Sequence, residues 1–499
     1  MPSLPPGFHD PISFFHLLTA VHLLSWYISK WLSVRPEQSL KDMSARSPSL
    51  EPSFAERMAD ASNGLFSAYV DSCDVLQIPR LARVSGSVEL PGSKSIANRA
   101  LLMAALGTNP DHSCNLKRLP NSDDVVILRN ILPSLGVSVK ESDSGVQIQA
   151  DHHRLSPSEG EFYVENAGTA LRPLLAILSA LKGSYLIYGN EQMNRRPIGD
   201  LARCLQSLGV EVSASEGGCP PVRITSEGWK GDRARIQGKT SSQFISAMLM
   251  AAPLTEKEFV LQLEDEPVSK PYIDLTIAMM KDFGVEVHRK NFQEFTVPGG
   301  QAYHAPDEYE IEGDASAATY FLAAGALTNQ GPIQVHGLGR SSIQGDQDFV
   351  RILQEMGAEI ELGEHSIEAR GGPGLKALDL DMNAMPDAAM TLATLNLFAE
   401  GQSSIRNIAN LRVKESERIH GLKTELERTG ATVEEGVDYL RISPPSKIQP
   451  ARFQTYQDHR MAMAFSLVSA GSSIEIEDPG CVRKTYPDYF LDFLKVVRK

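Results

Sequence analysis

The chain has 499 residues, 42% of them hydrophobic and 22% charged, with a net charge of -14. That length suits two or three domains, the balance is ordinary for a folded globular protein, and the acidity argues against a nucleic-acid binder held by bulk electrostatics. The 5 cysteines, odd in number and never in a CxxC pair, point to neither a disulfide framework nor a zinc site and fit a reducing compartment.

The N-terminal stretch reads unlike the rest. Pro11 to Ser29 carries no Asp, Glu, Lys or Arg and includes Phe14, Phe15, Leu17, Leu18, Leu23, Leu24, Trp26 and Tyr27, nearly long enough to span a bilayer. His16, His22 and several hydroxyls dilute it, and Asp10 stands where a signal peptide carries positive charge. Asp10, Glu37, Asp42 and Glu51 oppose an organellar transit peptide. Three readings of residues 1–74 stay open: a targeting segment, a membrane anchor at 11–29, or a non-native extension before an internal start such as Met43 or Met58. The folded body is expected from near Val75, in the cytoplasm, or in a plastid if the extension is a genuine transit peptide.

From Val75 the chain repeats one unit. A strand-like segment, a loop of Gly, Ser, Thr, Asp or Asn, and an apolar small-residue helix recur as LPGSKSIANRALLMAAL, VENAGTALRPLLAILSAL, IQGKTSSQFISAMLMAAPL, IEGDASAATYFLAAGAL, MNAMPDAAMTLATLNLFA and YQDHRMAMAFSLVSA. Successive copies lie about 70 to 75 residues apart, too long for a solenoid. A second helix closes on glycine before a β-branched run in SLGVSV, SLGVEV, DFGVEV, EMGAEI and RTGATV. Six such units predict an α/β protein of two domains with three units each.

In the first copy Ser93, Lys94 and Ser95 fall at a helix N-terminus, where free amides and the helix dipole favour an anion. Capping accounts equally well for that stretch alone, but cations gather at the other loops too. Lys94 and Arg99, then Arg172, Arg195 and Arg196, then Arg412, Lys414 and Arg418, then Arg460 and Lys484 have no obvious partner nearby in the sequence. Like charges brought together ask for an anion among them. Asp387 and Glu415 sit among the cations; an N-cap and a helical ion pair explain them as well as acid–base chemistry does. The 12 His form no HExxH, and neither GxxxxGK[ST] nor GxGxxG precedes a helix. The ligands expected are therefore small phosphorylated metabolites, with no metal, no cofactor and no nucleic acid.

LPGSKSIANRALLMAAL, NAGTALRPL, RRPIGDL, SSQFISAMLMAAPL, VSKPYIDLT, EGDASAATYFLAAGA, PDAAMTLA, RVKESERI, YQDHRMAMAFSL and KTYPDYF, in order from Val75 to the C-terminus, resemble the 5-enolpyruvylshikimate-3-phosphate synthase family of enolpyruvyl transferases. The resemblance implies two domains of three βαβαββ units closing on a cleft, one from 75–92 and 312–499, the other from 93–311. It implies transfer of the enolpyruvyl group of phosphoenolpyruvate to the 5-hydroxyl of shikimate 3-phosphate, with release of phosphate through a tetrahedral intermediate; nothing in the sequence itself requires more than a monomer. By motif, Lys94, Ser95, Arg99, Ser241, Ser242, Gln243, Ser269, Tyr272, Asp387, Asn410 and Lys414 look like the shikimate 3-phosphate site. Lys94, Gly168, Thr169, Arg196, Gln243, Arg418, Arg460 and Lys484 look like the phosphoenolpyruvate site. Asp387 resembles the base for the 5-hydroxyl, Glu415 the acid for the enol methylene, and Lys94 the group beside the leaving phosphate. KESER departs from the family's frequent KETDR but keeps Glu415 and Arg418, and Gly168 with Pro173 accompanies glyphosate sensitivity in this family. A UDP-aminosugar enolpyruvyl transferase shares the architecture, but its loop usually carries a cysteine and 179–197 has none. A non-catalytic phosphometabolite scaffold would need to have lost Asp387, Glu415 or the arginines, and all are present.

Overall fold

The computed structural model describes residues 63–498 apart from positions 82, 143, 152–154, 156–157 and 330. The targeting, anchor and alternative-start readings of the N-terminal stretch concern residues outside the described ones. The described residues belong to one compact unit, Leu50–Lys499. No helix among them is long and apolar enough to cross a membrane.

Alternating strand and helix signals predict repeated α/β units, and one is seen whole in the middle of the chain. Strand Glu159–Tyr163, helix Gly168–Ala180, strand Lys182–Tyr188, helix Gly199–Ser207, and strands Glu211–Ser215 and Cys219–Glu227 build one four-stranded sheet. Its first two strands are parallel, as a helical crossover demands, and the rest pair antiparallel. The same order recurs from Arg233–Ile236 to Glu294–Val297 and from Asp379–Asp381 to Leu440–Ser443. Gly136 (φ 78°) and Gly430 (φ 91°) take the left-handed conformation that releases a helix into the next strand.

Two units exchange their leading strands. Gly86–Glu89 precedes helix Lys94–Gly107 yet pairs in parallel with Ile333–His336, whereas Glu308–Glu310 precedes helix Ala315–Ala326 yet pairs in parallel with Cys114–Lys117. The two crossings touch where Gly92 bridges Gly313. A Cβ on Gly92 would stand 2.1 Å from the Arg118 carbonyl oxygen, so this junction needs a bare backbone. In the last unit Val75–Ile78 lies antiparallel on Ile474–Glu477 in place of a closing hairpin.

Buried apolar side chains form two separate cores. One, the central core, draws on residues from Ile96 to Ile311; the other, the terminal core, draws on Val70 to Leu90 and Ala315 to Val496. The terminal core starts earlier than the sequence suggests. Helix Asn63–Ser72 precedes Val75 and buries Val70, and its Ser67 hydroxyl donates to Asp488. A single short helix gives too little periodicity to stand out from the linker-like sequence before it.

Candidate active site

Helix starts from both cores converge on one cleft. It is lined by Lys94, Ser95, Arg99, Gly168, Thr169, Arg196, Ser241, Ser242, Gln243, Ser269, Tyr272, Asp387, Asn410, Lys414, Glu415 and Arg460, together with Asp124 and Arg172. Arg418 and Lys484 stand behind that lining, both buried. Arg195 and Arg412 do not join it: Arg195 faces exposed Glu191, and Arg412 binds Glu417 and the Val437 carbonyl.

The first helix contributes side chains more than an open N-terminus. It begins at Lys94, and the Lys94 amide already donates to Asp314 Oδ2 at 3.3 Å. Asp314 also caps helix Ala315–Ala326 through the Ala317 amide. An in-chain carboxylate thus occupies the place that the helix dipole offers an anion.

The cations are interleaved with carboxylates distant in sequence. Asp124 takes Lys94 Nζ at 3.0 Å on one oxygen and Lys484 Nζ at 2.7 Å on the other, and Lys484 also donates to the Asn166 carbonyl at 2.7 Å. Arg196 Nη1 reaches Asn166 O and Oδ1, both at 3.0 Å, while its Nη2 lies 3.5 Å from Glu415. Arg418 holds three carboxylates: Asp387 at 2.9 Å, Glu415 at 2.9 Å and Asp458 at 2.7 Å. Arg460 meets Asp387 at 3.0 Å and Lys414 meets it at 3.6 Å. These buried charges persist because carboxylates match them.

The N-cap reading of Asp387 does not survive this geometry, whereas the local ion pair of Glu415 with Arg418 is present at 2.9 Å and is joined by a contact from the other core. Ala388, not Asp387, precedes helix Ala389–Leu395 as its N-cap, and Glu417 caps helix Arg418–Glu427, so Glu415 is free to meet both Arg418 and, from the other core, Arg196. Burial pushes the Asp387 carboxyl up, but Arg460, Lys414 and Arg418 outweigh it and hold it well below the usual carboxylate range. Burial likewise opposes ionisation of Glu415, and Arg196, Arg418, Lys484 and Lys94 overcome it. Burial lowers Lys414 and Lys484. Arg172 has no partner for Nε or Nη1 among the described residues, a demand for an acceptor at the cleft wall.

Hydroxyls make up much of the rest of the lining. Ser241 caps helix Ser242–Ala251 by accepting from the Gln243 amide at 3.2 Å, and Asn98 donates to Thr169 at 2.7 Å. Ser269 adopts φ 55°, a left-handed conformation unusual without glycine, and Asn410 Nδ2 donates to its hydroxyl at 3.4 Å. Arg99 is fixed by Thr276 and by the Ser95 carbonyl, and burial pushes its guanidinium down to about 10, still a cation at neutral pH. Gly168 lies where a Cβ would fall 2.0 Å from Arg172 Nη1 and 2.9 Å from Arg196 Nη2. Only a bare backbone lets both guanidinium groups approach that loop.

Sequence reasoning missed Asp124, Asn166 and Asp458 and gave Arg172 no role. Asp124 reads as an ordinary helix-start acid in SDDVV, and Asp458 as the N-cap of helix His459–Ser466, a role it also fills. The adjacency of Asp458 to Arg460 in YQDHR, a repeat loop, was the one available signal.

Residues 78–493 match the family model for EPSP synthase (3-phosphoshikimate 1-carboxyvinyltransferase). The 3-phosphoshikimate 1-carboxyvinyltransferase of Vibrio atlanticus is 47% identical over 427 residues, covering 85% of this chain and 99% of the relative. That of Herminiimonas arsenicoxydans is 46% identical over 433 residues, covering 84% and 97%. Among solved structures, EPSP synthase from Acinetobacter baumannii superposes with a TM-score of 0.69 at 23% identity over 83% of this chain and 96% of the other. The enolpyruvyl transferase NikO from Streptomyces tendae gives 0.68 at 17% identity over 85% and 97%. At such identities the structural likeness speaks to the α/β fold of two three-unit domains alone.

Proposed function

The chain belongs to the EPSP synthase family, and from that premise we propose that its cleft moves the enolpyruvyl group of phosphoenolpyruvate onto the 5-hydroxyl of shikimate 3-phosphate, releasing phosphate. The observation that carries this reading is the meeting of Lys94, Arg196 and Arg460 with Asp387 and Glu415 in one lining that faces serine hydroxyls. A ligand bearing phosphate and carboxylate suits the first group, and a phosphorylated polyol suits the second. The domains are read as 75–92 with 312–499 and 93–311, which the division of the buried side chains supports. We read the chain as a monomer, and its unpaired cysteines support the cytoplasm.

The chemistry follows from the charges. The 5-hydroxyl oxygen bonds to C2 of phosphoenolpyruvate as Asp387 takes its proton and Glu415 delivers one to the methylene carbon. The tetrahedral adduct then returns a proton from that methyl group to the Glu415 carboxylate and expels phosphate beside Lys94. Both carboxyls are held ionised by neighbouring cations, which makes Asp387 a weak base and leaves Glu415 without a proton to give. An anionic ligand drawn against the same cations weakens their pull and raises both carboxyls towards working values. Lys94, Arg196 and Arg460, on the cleft lining, therefore bind the donor and release the acid–base pair in one event.

Phosphate release from the full chain, measured with each substrate alone and with both, is the test. Release is expected only with both, and none with shikimate 3-phosphate present would overturn the reading. Glyphosate, a phosphoenolpyruvate mimic, is expected to inhibit competitively with phosphoenolpyruvate because Gly168 keeps the Arg172 and Arg196 wall open. An unchanged rate at inhibitor far above the phosphoenolpyruvate level would refute this.

A further inference from the structure

A buried carboxylate outside this charge network touches the ring wall of the hydroxyl-lined half. Asp346 lies in the turn Gly345–Asp348 of the terminal core and is 3% exposed. Its Oδ2 accepts from the Tyr272 hydroxyl at 3.1 Å and from the Ser316 hydroxyl. Its Oδ1 has no partner among the described residues. Tyr272 belongs to helix Lys270–Asp282 of the central core and Ser316 to the first turn of helix Ala315–Ala326, so one carboxylate ties the two cores together behind the cleft. A small cavity bordered by Ser95, Tyr272, Asp314, Ser316 and Asp346 lies alongside, and Ser95 and Tyr272 line the cleft as well.

We propose that Asp346 is a positioning residue for the acceptor substrate: through the Tyr272 hydroxyl it fixes the wall against which the shikimate ring lies. The inference rests on assigning that half of the cleft to shikimate 3-phosphate. A buried carboxylate with one oxygen unpaired costs stability, so its contribution is sought in function. Burial, with Asp387 and Asp314 nearby, pushes the carboxyl up to about 6 against the pull of Arg460 and the Ser316 hydrogen bond. Burial and the carboxylates of Asp346 and Asp387 push the Tyr272 phenol far above its ordinary value, so it stays a donor. A carboxyl raised in the folded state stabilises fully below its unfolded value, and that contribution is lost as the pH rises through about 6. An uncharged isostere is thus expected to melt higher than the parent at pH 8, with the difference closing towards pH 4.

Steady-state kinetics of the full chain test it. Asp346→Ala is expected to raise KM for shikimate 3-phosphate about tenfold, the scale of a lost hydrogen bond to a charged group, with KM for phosphoenolpyruvate unchanged. kcat should stay within about twofold, because binding rather than chemistry is disturbed. Tyr272→Phe should raise the same KM, and the double variant should be no worse than the worse single one. Asp346→Asn, which keeps an acceptor oxygen, should recover most of the affinity and melt higher at pH 8, which guards against a variant that merely fails to fold. An unchanged acceptor KM in Asp346→Ala, equal rises in both KM values, or effects additive with Tyr272→Phe would overturn the proposal. Tyr272→Ala without effect on the acceptor would sink the assignment of that half of the cleft, and the role of Asp346 with it.

Discussion

The cleft brings together a cluster of paired charges and a group of hydroxyls around Arg99, and the two were assembled under different constraints. Lys94, Arg196, Arg418, Arg460 and Lys484 come together only because Asp124, Glu415, Asp387 and Asp458 are placed between them. The serines need no such escort, since a neutral hydroxyl changes partners at little cost; Tyr272, held by Asp346, is the exception. A carboxylate in the charged half balances cations, and in the proposed reaction Asp387 and Glu415 also move protons. A hydroxyl in the other half balances no charge.

That difference ranks the consequences of substitution. Asp387→Ala and Glu415→Ala should each lower turnover by about 10²-fold or more, the scale for losing a general acid or base, with the fold retained. Near-normal turnover in either would reduce that carboxylate to a counter-ion. Arg196→Ala should raise KM for phosphoenolpyruvate by about 10- to 100-fold, the worth of a charged hydrogen bond, while shifting the acceptor much less. Equal losses for both substrates would erase the division between the halves. Ser242→Ala, on the hydroxyl side, should raise KM for shikimate 3-phosphate by about 2- to 10-fold, the worth of a neutral hydrogen bond. An effect as large as that of Arg196→Ala would show that the hydroxyls too are held in a costly arrangement.

The same division explains what could be read from the sequence. The repeat was legible because apolar periodicity and the closing glycines such as Gly136 and Gly430 are local signals, and the cations were legible because they recur in equivalent loops. Their counter-ions were not. Asp124 binds Lys484 across 360 positions of chain, and nothing local separates it from its neighbour Asp123. Whether Asp387 caps a helix or faces three cations is a matter of where RVKESER and DHRMAM arrive in space, which no spacing encodes. Asp346 was invisible for the same reason: its partner Tyr272 lies in the other core. Helix Asn63–Ser72 escaped because it is one short element attached to unrepetitive sequence.

Asp123 and Asp124 offer the smallest effect and the finest form of the comparison. Both lie on the first turn of helix Asp123–Ile131 and both face the segment Pro479–Lys484, so that Asp123 meets Arg483 at 3.5 Å and Asp124 meets Lys484 at 2.7 Å. Their side chains are 37% and 2% exposed. Burial raises the Asp123 carboxyl and Arg483 only partly offsets it, whereas at Asp124 burial is outweighed by Lys484 and Lys94, leaving that carboxyl lowered. Arg483, half-exposed, is in any case shared with Asp71 of helix Asn63–Ser72. A raised carboxyl stabilises the fold at low pH and loses that contribution as pH rises, so at pH 8 Asp123→Asn removes a charge that was not helping. The expected outcome is a melting temperature unchanged or slightly higher at pH 8, and a KM for phosphoenolpyruvate within about twofold of the parent, as for most exposed ion pairs. A several-degree loss of melting temperature, or a large rise in that KM, would mean that the outer bridge governs where Lys484 sits, and the line between surface charge and cleft charge would have to be redrawn beyond Asp124.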